Sequence, residues 1–147
     1  FRSQWYHLNH NKTLIHMNAG NQSNRKQVKA RVELAKVYLE IGDYDMGNIH
    51  ATRALKLSQY LEGNAECHDF SPVVLTTVAM VQFKLNKPRK AYELLMQALE
   101  ENTEMNDEYN TTNYPILLEL GKVCSALSSY DEGLEYLSKV RQSQYTI

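Results

Sequence analysis

Proline, glycine and cysteine are scarce here: three, six and two among 147 residues. So few chain breakers exclude a collagen-like or Pro/Gly-rich disordered chain, and two cysteines cannot make a disulfide framework. Cys124 falls in an apolar helical pattern and Cys67 in a polar stretch, so both are expected to be reduced thiols of a cytoplasmic protein. A long hydrophobic run is also missing. Val73 to Phe83 comes nearest, but threonines and Gln82 interrupt it, and it falls far short of the roughly 20 residues a membrane span needs. Net charge is −1, which speaks against nucleic acid as the main ligand, the one dense basic run being "RKQVKAR" from Arg25 to Arg31. The chain begins without an initiator methionine and without a signal-peptide pattern, so it reads as a piece of something longer.

Chemical motifs are absent too. There is no phosphate-binding glycine loop, nucleophile elbow or H-E-x-x-H metal signature, and no convergent acid, base and nucleophile, so neither an enzyme nor a cofactor is expected. His7, His10 and His16 lack the further ligands that zinc requires. "ECHD", Glu66 to Asp69, sets four potential ligands side by side, where adjacent side chains of an extended segment point in alternating directions.

What the chain does contain is 43% hydrophobic and 22% charged residues, ordinary for one globular domain. Alanine, leucine, glutamate and lysine fill the stretches between the few breakers and favour helix. Charge is unevenly spread. Residues 1–60 hold nine lysines and arginines against four acids, a surplus of five, so the remainder carries a net −6. Such polarity suits head-to-tail contacts or two different neighbours.

Three segments align without a gap: Glu33 to Leu57, Thr77 to Glu101 and Glu119 to Ser143. Each has a small residue early, at Ala35, Ala79 and Gly121, and another twelve residues on, at Gly47, Ala91 and Gly133. Ala54 and Ala98 stand seven further, with Val140 departing from the pattern. Small residues at fixed offsets let two helix axes approach closely. Between them lie Gly42-Asp43-Tyr44, Asn86-Lys87-Pro88 and Ser128-Ser129-Tyr130, all turn formers, with Pro88 suited to a first helical turn. Each unit is therefore expected to be helix, tight turn, antiparallel helix.

The spacing of Leu34-Ala35, Tyr38, Gly42-Asp43-Tyr44, Gly47, Ala51 and Ala54 resembles the tetratricopeptide repeat, and the resemblance extends over about residues 26–143. It implies an all-α fold in which antiparallel helical hairpins stack as an α-solenoid. About seven helices are expected: one over 1–20 from a truncated preceding repeat, then pairs over 26–61, 70–102 and 112–143. "NAGNQSN", Asn18 to Asn24, is expected to be a loop, and "EGNAECHDFS" and "ENTEMNDEYNTTNYP" to be connectors. The units recur every 42 to 44 residues rather than the family's 34, which is similar to elongated repeats in bacterial peptide-sensing regulators, sensor-kinase modules and kinesin light chains. The resemblance implies a non-catalytic interaction domain of a cytoplasmic signalling or regulatory protein that binds a peptide or protein segment in a groove lined by the first helices. No membrane partner is implied. The alternative is a self-assembly module stacking end to end into a homo-oligomer.

Periodicity places Lys29, Glu33, Lys36 and Glu40 outward on the first of these helices. Thr76, Thr77, Met80, Phe83 and Lys84 fall there on the second, and Glu119, Lys122 and Ser125 on the third. Of these, Lys29, Lys36, Thr76, Met80, Phe83, Lys84 and Lys122 are the candidate binding residues, apolar side chains anchoring a segment while cations steer its acidic groups. Some members of the family clamp a terminal carboxylate with paired Lys and Asn; no Asn accompanies the lysines on these faces.

Overall fold

A computed structural model describes residues 10–62, 71–105 and 113–145, and among them every regular element is helical. There are six α-helices: α1 (His10–Ile41), α2 (Tyr44–Glu62), α3 (Ser71–Lys84), α4 (Pro88–Met105), α5 (Tyr114–Ala126) and α6 (Tyr130–Tyr145). They pair consecutively into three hairpins, α1–α2, α3–α4 and α5–α6. Each hairpin packs on the next, through α2 against α3 and α4 against α5, and also through the first helices, α1 with α3 and α3 with α5. Such packing is compatible with a helical solenoid.

The three turns share one conformation. Gly42, Asn86 and Ser128 occupy equivalent positions and all have positive φ, at 84°, 64° and 60°. Around each, two backbone bonds close the preceding helix: Asp43 N–H to Tyr38 O (2.9 Å), Lys87 to Gln82 (2.9 Å) and Ser129 to Cys124 (2.8 Å), beside Gly42 to Leu39, Asn86 to Phe83 and Ser128 to Ser125. This is the Schellman arrangement, which uses up carbonyls that a helix end otherwise leaves unpaired. The next helix starts at once, with Asp43 accepting the Met46 N–H at 3.2 Å as a side-chain cap.

Small residues let the paired helices meet. Ala35, Ala79, Ala91, Ala51, Ala54 and Ala98 are all buried. A Cβ on Gly47 would lie 3.5 Å from Ala35 O, and one on Gly133 3.1 Å from Cys124 Cβ. Two hydrophobic cores result. One joins Val28, Val32 and Leu39 of α1 to Val74, Val78 and Val81 of α3. The other joins Leu75 of α3 and Leu95 of α4 to Ile116, Leu120 and Val123 of α5. Leu55 and Leu94 touch both cores and make the stack continuous. Each fully buried aliphatic side chain here contributes about 1.5–3 kcal/mol.

Polar links reinforce the joints between hairpins. Asn48 on α2 accepts from Gln82 Nε2 on α3 at 3.2 Å. Tyr92, at the position equivalent to Asn48, donates to Glu132 on α6. Asn102 donates to Asn113 ahead of α5, whereas the Ser71 hydroxyl donates to Glu101 within the second hairpin, tying α3 to α4.

Three expectations are corrected. "NAGNQSN" is not a loop: α1 runs through it without a break. The segment holds no proline, and a single interior glycine costs a helix only about 1 kcal/mol. The described residues form six helices, and none of them ends near residue 20; residues 1–9 of the expected first helix lie outside the described residues. Residues 101–105 belong to α4 rather than to a connector. The extra length of each unit lies partly in the second helices, with 19 residues in α2 and 18 in α4 against 14 in α3 and 13 in α5. Residues 63–70 and 106–112 lie outside the described residues, and Cys67 and "ECHD" with them, as does His7 near the N-terminus.

Candidate protein-interaction surfaces

The repeat register places Lys36, Met80 and Lys122 at one equivalent position on α1, α3 and α5, helices that pack side by side. Lys36 pairs with Glu33 at 3.7 Å and Lys122 with Glu119 at 3.1 Å, each three residues back on its own helix. Glu33 is exposed and Glu119 largely covered, and a solvent-exposed pair such as Lys36–Glu33 is worth only about 0–1 kcal/mol. Met80 is half-buried, resting on the core between the first two hairpins while leaving part of its surface free. A methionine in that position offers an adaptable apolar contact between two cations.

The other expected residues are placed differently. Lys29 and Lys84 are exposed on α1 and α3. Thr76 is buried, not outward, and its hydroxyl donates to Pro72 O at 2.6 Å. Thr77 is buried likewise and donates to Val73 O. Both threonines thus satisfy their own helix. Phe83 is half-buried against the core of the second and third hairpins, as Met80 is against that of the first two. The row therefore consists of Lys36, Met80 and Lys122, with Lys29 and Lys84 near its edges.

A second feature went unread in the sequence. Gln27 and Arg31 of α1 and Arg53, Lys56, Leu57 and Tyr60 of α2 line a shallow cleft of about 320 Å³. Arg31 lies 3.3 Å from His50 Nδ1, and His50 stacks on Tyr38 with ring centroids 5.4 Å apart. No described acidic side chain pairs with Arg31, Arg53 or Lys56. The signal was available in the register. Arg31 stands where the other hairpins bury Leu75 and Leu117, and His50 where they place Leu94 and Tyr136. Polar residues at two core positions of one repeat mark a site where packing has been given up.

No protein-family model matches this chain, and a search of curated proteins returns no match. The surfaces must therefore be read from their own chemistry. Among the described residues, no three His, Cys, Asp or Glu side chains gather in a way that could hold a metal ion. His10 and His16 lie in α1, but their side chains are outside the description. No helix of the described residues is long and apolar enough to cross a membrane.

One polar cluster has shifted acidities. Glu132 Oε1 accepts from both Tyr92 and Tyr136, the latter at 3.0 Å, with Met96 Sδ 3.4 Å from the Tyr136 hydroxyl. The bond to Glu132 and burial raise the pKa of Tyr92, and burial followed by the Glu132 bond raises that of Tyr136, making both phenols weaker acids. Burial also pushes the Cys124 thiol up, which keeps it protonated and a poor nucleophile. Protonated donors on one carboxylate make a structural clamp between α4 and α6, not an acid–base pair poised near neutrality.

Proposed function

We propose that this chain is a tetratricopeptide-like, non-catalytic interaction module that binds a protein segment along its first helices. The observation that carries the reading is the row of Lys36, Met80 and Lys122 on three adjacent helices. A segment lying across the row would set an apolar side chain on Met80 and acidic groups toward the two lysines, so that packing supplies affinity and charge supplies register. Three equivalent turns and two interfaces formed by equivalent residues support the repeat assignment. Within a signalling or regulatory protein, such binding would act by changing how the module contacts other domains.

A photo-crosslinking residue at position 80 tests this directly. It is expected to trap a protein from lysate, and Lys36→Glu combined with Lys122→Glu is expected to reduce the trapped product at least tenfold while circular dichroism stays unchanged. Undiminished trapping in the double variant would remove the row from consideration.

A further inference from the structure

The two internal interfaces show what a first helix meets at its leading face. On α3, Val74, Val78 and Val81 are buried in the core shared with the first hairpin; on α5, Ile116, Leu120 and Val123 are buried against the second. The equivalent residues of α1 are Ala30, Leu34, Val37 and, one turn on, Ile41. Among the described residues nothing covers them: Leu34, Val37 and Ile41 are 42, 52 and 68% exposed. Their spacing of three and four residues makes one continuous apolar stripe.

The cationic cleft adjoins this stripe. At 100° per residue, Arg31 lies roughly 60° around α1 from Leu34, on the side toward α2. Arg53 and Lys56 face the cleft from α2. The outer side of the first described hairpin thus offers an apolar strip flanked by three cations without described acidic partners.

We propose that this face of α1 docks an amphipathic helix of a partner protein, apolar along one stripe and acidic along the flank that meets Arg31, Arg53 and Lys56. A helix is indicated because the corresponding faces of α3 and α5 each receive the second helix of the hairpin before. Acidic character follows from the cations, which would otherwise be desolvated without a counter-charge. A second copy is the poorer occupant. Leu55 and Leu99 pack into the core that holds Leu75 and Leu117, and the equivalent residue of α6 is Arg141. Head-to-tail stacking in the same geometry would bring Arg141 against Arg31, a like-charge contact that specificity disfavours.

The test uses two synthetic 18-residue helical peptides with the same leucine stripe, one flanked by glutamates and the other by lysines, titrated onto the full chain by fluorescence anisotropy. The glutamate peptide is expected to bind at least tenfold more tightly. Val37→Glu, at an exposed site, should abolish its binding, and Arg31→Glu with Arg53→Glu should transfer the preference to the lysine peptide. Equal binding of the two peptides, binding of neither, or retained binding in Val37→Glu overturns the proposal. So does sedimentation showing a dimer of the chain that Val37→Glu dissociates, because the face would then belong to a second copy.

Discussion

An added Cβ at Gly42 would meet no atom within 4 Å, so a substitution there probes backbone strain and nothing else. With φ at 84°, Gly42→Ala is expected to destabilise by about 1 kcal/mol, since the left-handed region costs an L-residue roughly 1–2 kcal/mol, while alanine loses less entropy on folding than glycine. Ser128 bears the same strain in the third hairpin, at φ 60°. Ser128→Gly should therefore stabilise by about 0.5–1 kcal/mol, the opposite sign at an equivalent position. Urea denaturation of both variants checks the pair, and two changes of the same sign would refute the shared strain. These turn positions were legible in the sequence because Gly42 and Asn86 belong to the few residue types that enter this conformation readily. Ser128 was legible only through its register with them. The burial of Thr76 was not legible. Residues of α3 are apolar nearly all round, so periodicity gave no reliable outward face, and only contact with its neighbours on several sides determines which residues are covered.

Between elements, the bond network of Tyr92, Glu132 and Tyr136 joins α4 to α6 and makes the third hairpin sensitive to alkali. Both phenols are raised above the ordinary value of 10.0. Below that value each is protonated in folded and unfolded chains alike, and their contribution to stability is complete. Above it the unfolded chain releases protons that the folded chain keeps, so stability falls as pH rises, by up to about 1.4 kcal/mol per unit for each tyrosine. Tyr136→Phe is expected to lower stability at neutral pH and to flatten this alkaline decline. Urea midpoints from about pH 8 to 11 measure both effects, and an equally steep decline in the variant would exclude Tyr136 as its source. The hairpins themselves were readable from turn residues and small positions, whereas this link was not. Tyr92 and Tyr136 fall in separate repeats of the sequence, and nothing local to either indicates that a carboxylate 40 residues from Tyr92 will accept from both. The same reasoning explains why the cleft was missed: Arg31 reads as part of the basic run and Arg53 stands 22 residues further on, until the two helices are set side by side.

For the whole molecule, a stack of hairpins with nearest-neighbour interfaces predicts graded rather than uniform stability. Ten of the fourteen residues of α3 are buried, because it contacts α1, α2, α4 and α5. The outermost α6 leaves Leu134 and Leu137 exposed, and Leu137 stands where α4 buries Leu95 completely. Leu95→Ala is therefore expected to cost about 2–5 kcal/mol, the range for a well-packed leucine, and Leu137→Ala less than about 1 kcal/mol. Hydrogen exchange should follow the same order. Amides around Val78 to Val81 should open only with global unfolding, and those around Glu135 to Lys139 at least tenfold more often. The glutamate-flanked helix supplies a further arm of that measurement. Bound at the leading face, it should slow exchange in α1 near Leu34 and Val37 by mass action, with progressively smaller effects through α3 to α6. Exchange as slow in α6 as in α3 would mean that the three hairpins open as one unit, and the picture of independent joints between neighbours would have to be given up.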